Sequence, residues 1–351
     1  MSAAPIAPHP LATVIVDADD ELAPDPYFEF KSTDSMVQKV VVSIVVFGPF
    51  AGLIAAIVGL WSGGIRPVDI VTAVVFYLIS GLGITVGFHR LLTHRSFTAK
   101  RWLRNTLAIA GSFAVQGSAT SWVALHRRHH VYSDLPGDPH SPNLSGSGTA
   151  AMLKGFVHAH TGWLYTAEEA NAERWAPDLI ADNDIRIISA LAPLWTVLTF
   201  ALPALIGFIA TGTFDGAFEC FLWASLVRIF FLHHITWSTN SICHIFGKRP
   251  FATKDLSRNY ALLSLLSFGE AWHNGHHAFP SSARHGLDRG QLDISARIIT
   301  IFEGLGFVTC VRTPDPERIN ARRSVTRELA LEALEIEALN VSAIDDYGIN
   351  R

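Results

Sequence analysis

Eight of the 16 histidines in this 351-residue chain fall in three short clusters: HRLLTH (His89, His94), HRRHH (His126, His129, His130) and HNGHH (His273, His276, His277). The first two directly follow long uncharged apolar stretches. Neutral imidazole is the commonest protein metal ligand, and this crowding serves neither packing nor solubility. The chain is therefore expected to hold more than one metal ion, and any fold must bring the three clusters to one place.

The composition says what kind of fold. The chain is 49% hydrophobic and 17% charged, with mean hydropathy +0.29, against about 25% charged in soluble domains. A net charge of -4 gives no basic footprint for nucleic acid. Cys220, Cys243 and Cys310 are scattered, which supports neither a zinc ribbon nor a disulfide framework. No basic segment followed by an apolar run opens the chain, so a cleaved leader is not expected. Residues 1–38 are Pro- and Ala-rich, then acidic, and are expected to be a disordered tail with an interfacial aromatic patch at Tyr27–Phe30.

A membrane-crossing helix needs about 20 apolar residues. Residues 40–65, 70–88 and 187–214 carry no charge, and 216–240 carries only Glu219 and Arg228. A fifth uncharged stretch, 105–125, is long enough to cross, but parity excludes it. His89 and His94 follow the second span, and a crossing at 105–125 would put His126 on the other face. That stretch also holds Ser112, Gln116, Ser118, Thr120 and Ser121, which suits an interfacial or protein-buried helix over about 103–124. Four spans remain, about 40–61, 68–88, 188–210 and 216–238, in two hairpins with short turns near Gly63–Pro67 and Thr211–Asp215. Both termini and every cluster then share one face. The two turns hold one basic residue, Arg66, whereas segment 89–186 holds many. The positive-inside rule makes that face cytoplasmic. Arg228, near the middle of the fourth span, needs a polar partner or a cavity. The run 294–311 reads as an amphipathic helix on the cap, and 316–351 as a charged C-terminal helix and tail.

HRRHH and HNGHH share the spacing i, i+3, i+4, which places three imidazoles on one turn of helix. Three so close serve two neighbouring ions, with i and i+4 facing one and i+3 the other, or the converse. HRLLTH is spaced i, i+5, which fits a helix that unwinds at the membrane surface. His244, in NSICH after the fourth span, is a further candidate, with Asn240 one turn earlier able to hold a metal-bound water. Carboxylates are nearly absent from the clusters, Glu270 being the exception. Imidazole suits iron, copper and nickel alike. Ions beside apolar helices at a membrane surface suit oxygen chemistry on a lipid chain, because an unactivated C–H bond requires a redox centre.

These motifs resemble the membrane fatty-acyl desaturases, specifically the delta-9 acyl-CoA type. The flanking Gly137-Asp-Pro-His140, His160-Thr-Gly-Trp163, Gly269-Glu270 and Gln291-Leu-Asp293 add to the resemblance, which covers roughly residues 40–315. It implies an all-α integral membrane protein, with four spans and a cytoplasmic helical cap holding a non-haem di-iron site. One iron would take His89, His94, His126, His130 and His276. The other would take His129, His244, His273 and His277, with Asn240 acting through a water. The implied reaction introduces a cis double bond into a saturated acyl-CoA, using O2 and two electrons from NAD(P)H. A reductase and a separate ferredoxin or cytochrome b5-like carrier would deliver them, since no HPGG haem motif is present.

His234, Glu270 and Asp138 are candidates to support the metal ligands from behind. Trp122, Trp163 and Trp237 are candidates to line a substrate tunnel walled by spans two and four and the 105–125 helix. The stretch after Trp163 is acidic, where a CoA-binding relative would place basic residues, so a carrier protein or a glycerolipid competes with CoA. Arg127, Arg128, Lys154 and Arg258 are the cations left to meet a headgroup. Two other readings compete. A di-iron hydroxylase would share the metal site and insert oxygen. A metal transporter would carry ligands inside its spans, and these spans carry almost none.

Overall fold

The computed structural model describes residues 36–62, 64–166 and 170–323. The Tyr27–Phe30 patch and most of the acidic tail lie outside them. Of the C-terminal segment, residues 316–323 are helical and the rest also lies outside.

Among the described residues, four helices are long and apolar enough to cross a membrane: Met36–Leu60, Pro67–Thr93, Ala192–Thr211 and Phe214–Ile245. The first lies in α1 (Met36–Ser62). The second is α2 (Pro67–Leu82) continued by eleven residues of π-helix, Gly83–Thr93. The chain then makes a short strand β1 (Thr98–Ala99), α3 (Arg101–Ser112), α4 (Ala119–Tyr132) and α5 (Thr149–His160). Three short helices, α6 (Ala172–Trp175), α7 (Pro177–Ala181) and α8 (Asn183–Ala190), lead to α9 (Ala192–Thr211). The fourth span comprises α10 (Phe214–Phe221), a π-turn at Leu222–Val227 and α11 (Arg228–Ile245). The short α12 (His273–Ala278), α13 (Ile294–Gly304) and β2 (Val308–Thr309) follow. β1 and β2 pair antiparallel, Thr98 opposite Thr309, and tie the end of the second span to the chain beyond α13.

Five sequence expectations need correction, the first being the helix expected over 294–311, which ends at Gly304 ahead of β2. The helix expected over 103–124 is two helices. The chain turns at Val115 and Gly117, which have φ of 56° and 93°, and Ser118 opens α4 by accepting a hydrogen bond from the Ser121 amide. The third span starts at Ala192 rather than 188, because Leu191 and Pro193 separate it from α8. The fourth span runs on to Ile245, so Asn240 and His244 lie on it rather than after it. Its 32 residues measure about 48 Å at 1.5 Å per residue, longer than the roughly 30 Å a hydrocarbon core needs. Finally, the HRLLTH segment widens rather than unwinds. In the π-helix the His94 amide donates to the His89 carbonyl at 3.1 Å, five residues back. An i, i+5 pair thus comes to one face, with the two rings 4.9 Å apart.

α3 packs along the π-helical end of the second span, and the fit depends on two glycines. A Cβ on Gly83 would lie 2.0 Å from the Gly111 amide nitrogen, and one on Gly111 would lie 2.6 Å from the Phe88 ring. Phe88, Leu91, Leu92, Leu103, Leu107, Val123 and Ile185 fill the core between the π-helical end of the second span, α3, α4 and α8. Arg228 is buried in the bundle and donates to the Ala224 and Phe113 carbonyls at 3.0 Å and to Thr199 Oγ1 at 2.8 Å.

Candidate metal centre

Five imidazoles (His89, His94, His126, His130, His276) form one group and four (His129, His244, His273, His277) form a second; within each group the candidate ligand atoms lie within 4.8 Å of one another. The segregation follows from helix geometry. On α4, His126 and His130 (i, i+4) face the first group and His129 (i+3) the second. On α12, His273 and His277 face the second group and His276 the first. The two triplets thus interlock, and the His130 and His277 rings stack at 4.6 Å between the groups. His89 and His94 enter from the π-helix and His244 from the last turn of α11.

Four carboxylates stand behind the imidazoles. The Nδ1 atoms of His129, His244 and His277 donate to Asp138 (3.0 Å), Asp134 (2.8 Å) and Asp255 (2.8 Å). His89 Nδ1 is hydrogen-bonded to Glu270. Each bond fixes the proton on Nδ1 and turns the Nε2 lone pair into the centre. Burial, reinforced by neighbouring imidazoles, holds His94, His126, His130, His273, His276 and His277 well below the usual histidine pKa, so they stay neutral. Burial opposes protonation of His129 as well, but the charge and hydrogen bond of Asp138 prevail and raise it.

The arrangement fits a pair of cations. His89 Nε2 and His244 Nε2 carry lone pairs and lie 3.1 Å from His276 Nε2 and 3.0 Å from His273 Nε2. His276 Nε2 is also 2.8 Å from His130 Nε2, which is itself 3.1 Å from His126 Nε2. Ligands bound at about 2.0–2.1 Å and at right angles stand roughly 3 Å apart. His94 Nε2 and His277 Nε2 are buried with no hydrogen-bond partner, at a cost of about 1–3 kcal/mol each if nothing occupies the centre.

A further network lies outside the first group. Arg90, fully buried, reaches Glu270 at 3.3 Å and Asp293 at 3.1 Å, and its Nε donates to His285 Nε2 at 3.2 Å. The sequence assigns no supporting role to Asp134, Asp255 or Arg90, and Asp293 appears there only within the Gln291-Leu-Asp293 motif. Asp134 carries a usable signal, four residues after His130. Asp255 carries none, being 22 residues from His277, and the expectation that carboxylates are nearly absent from the clusters does not hold in space.

Other expectations come out differently. His234 does not meet the centre: its Nδ1 lies 2.9 Å from His160 Nε2, and its ring packs on Phe230 and Trp237. Arg127 is committed to Asp178 at 2.6 and 3.1 Å and to the Leu92, Thr93 and Trp175 carbonyls, so it locks α4 to its neighbours rather than facing a headgroup. Arg128 is buried. Trp163 packs on His140, and Trp237 on His160 and His233.

Trp122 alone of the three tryptophans lines the cavity that opens on the centre. Its other walls include Gly81, Ile84 and Thr85 of the second span, Leu232, Ile235, Thr236, Thr239 and Asn240 of the fourth, and Phe268, with His89, His126, His273 and Glu270 at one end. It encloses about 560 Å³ of atom-free space, its mouth included. The Trp122 ring stacks on His126 at 5.0 Å. Gln116 fixes it, accepting from Trp122 Nε1 (3.2 Å) and donating to Thr236 Oγ1 (3.0 Å).

Residues 68–296 match the family described as fatty acid desaturase. Among similar proteins is a hex-5-enoyl-[acyl-carrier protein] acetylenase from Moorena producens (strain JHB), 42% identical over 277 residues, or 78% of this chain and 86% of that protein. Delta-9 acyl-lipid desaturase 1 from Arabidopsis thaliana is 39% identical over 69% of this chain and 74% of its own length. An sn-1 stearoyl-lipid 9-desaturase from Anabaena variabilis is 36% identical over 71% and 85%.

Proposed function

The chain belongs to the fatty acid desaturase family, and from that premise we propose that it introduces a cis double bond at the delta-9 position of a saturated long-chain acyl group, using O2 at a di-iron centre. The observation that carries this reading is the juxtaposition of two imidazole groups with an apolar cavity between spans two and four. One iron takes His89, His94, His126, His130 and His276. The other takes His129, His244, His273 and His277, with Asn240 acting through a water. When bound, the irons supply the oxygen-dependent oxidation that breaks two unactivated C–H bonds.

The protein's own part is placement and protection. Ile84, Leu232, Ile235 and Phe268 give the acyl chain an apolar wall and keep water from it. Trp122, held by Gln116, forms the wall that also touches a candidate ligand, so it sets how close a methylene comes to the centre. Asp134, Asp138, Asp255 and Glu270 hold the Nδ1 protons, fixing ring orientation and keeping the lone pairs inward. The excess of basic residues on the histidine side supports a cytoplasmic location for the centre and both termini. There NAD(P)H, a reductase and a ferredoxin or cytochrome b5-like carrier deliver two electrons.

Acyl-CoA is the first reading of the carrier. A glycerolipid-bound chain is the second, favoured by the commitment of Arg127 to Asp178 and by relatives named for lipid-bound substrates. Membranes from a desaturase-deficient host expressing the chain are given labelled stearoyl-CoA, with and without acyl transfer to lipid blocked, and products are identified by gas chromatography and mass spectrometry. Loss of two hydrogens at carbons 9 and 10 is expected. Gain of one oxygen would make the chain a hydroxylase. Product formed only when transfer to lipid proceeds would assign the glycerolipid.

A further inference from the structure

The break between α3 and α4 exposes backbone at a place where a membrane protein must pair it. Two buried side chains of the fourth span do so. Arg228 Nη1 donates to the Phe113 carbonyl at 3.0 Å, and His233 Nε2 to the Ala114 carbonyl at 2.7 Å. Thr199 Oγ1 from the third span adds a donor to Phe113 at 2.9 Å. Arg228 also donates to Ser80 Oγ at 3.3 Å, on the residue before the cavity-lining Gly81. These partners of Arg228 are carbonyls and hydroxyls, not carboxylates. A central arginine costs about 2.5–3.5 kcal/mol on insertion scales, so its fork geometry rather than a countercharge explains its presence.

The clamped loop carries Gln116, two residues beyond Ala114. Gln116 bridges Trp122 on α4 to Thr236 on α11, and both partners line the cavity. Position thus passes from Arg228 and His233 through the loop and Gln116 to the one indole that stacks on His126. Methylenes of an acyl chain are chemically alike, so the carbon oxidised is the carbon held nearest the centre.

We propose that Arg228 and His233 are positioning residues that fix the site of desaturation, acting on Trp122 through the Phe113–Ser118 loop. The proposal rests on the acyl-chain reading of the cavity. Neither residue touches the cavity or an imidazole of the centre, so a merely structural role would lower yield and leave the product unchanged.

The test compares full-length wild type, His233→Leu (donor removed), His233→Gln (donor retained) and Arg228→Lys (charge retained, fork lost). Each is expressed in the desaturase-deficient host, with double-bond positions mapped by mass spectrometry and iron measured per purified chain. For the leucine and lysine variants the expected result is wild-type iron content, kcat lower by about tenfold, and a several-fold larger fraction of double bonds at neighbouring carbons. The glutamine variant is expected to restore the single position. Unchanged double-bond positions in leucine or lysine variants that retain iron would overturn the proposal. If His233→Leu fails to accumulate, Arg228→Lys decides. A wild-type chain that makes no desaturated product would instead defeat the functional reading and leave the clamp's geometry untouched.

Discussion

The first and third spans bury only 17% of their most apolar window, whereas the second and fourth bury 50% and 56%. All four satisfy the same length and composition test. The outer pair offers lipid a plain apolar surface, with Ile44, Phe47, Val58, Val197 and Ile209 exposed. The inner pair carries two π-helical segments, the buried Arg228, two of the nine candidate ligands (His89 and His244) and much of the cavity wall. Apolarity therefore places a helix in the bilayer, while its departures from apolarity and from regular α-helix show what it does there.

The largest effects should come from the inner pair's end of the molecule. His129→Ala and His276→Ala remove one imidazole from each group. Either is expected to leave the protein inserted and to abolish double-bond formation in cells that rely on it, measured by fatty-acid analysis. Near-normal unsaturation would break the comparison. Next comes Asp255→Asn, which removes the carboxylate behind His277. A loss of about 10–100-fold in metal affinity or activity is expected, read by metal titration of the purified chain.

Stability separates the two pairs as well. Gly83→Val on the second span drives a side chain into the Gly111 backbone and should destabilise by about 1–3 kcal/mol or more, seen as a lower unfolding midpoint in detergent. Gly59→Ala on the first span meets no atom within 4 Å and should stay within about 0.5 kcal/mol. Equal shifts would erase the distinction.

A modest effect is expected at an ion pair away from the spans. Burial pushes the Asp178 carboxyl up, but Arg127 and Arg95 outweigh it and bring it down to about 2. A carboxyl depressed in the folded state stabilises above its unfolded pKa of about 3.9 and loses that contribution as pH falls through 2. Asp178→Asn should therefore cost the same at pH 5.5 and pH 8, and no more than about 1 kcal/mol for a partly exposed pair. A cost that changes across that interval, measured by unfolding midpoints, would contradict the ion pair.

The four spans and the histidine triplets are legible because their signals are local: uncharged length in one case, spacing on a turn of helix in the other. Parity of crossings then decides 105–125 without any contact information. The π-helix at Gly83–Thr93 is not legible in the same way, since i, i+5 fits either an unwound end or a widened turn. The break at 113–118 hides behind a run of apolar and small polar residues, where only Gly117 marks a left-handed backbone. Asp255 is invisible because what places it is tertiary, a loop folded back on α12, and no sequence period records it.

The proposed chemistry requires each of the two imidazole groups to bind a redox ion. The most direct measurement is iron per chain, with Mössbauer spectra, on purified active wild type beside His129→Ala and His276→Ala. Two irons per active wild-type chain are expected, with each variant losing signal from one site. Active wild type without iron, or both variants retaining two irons with unaltered spectra, would contradict it.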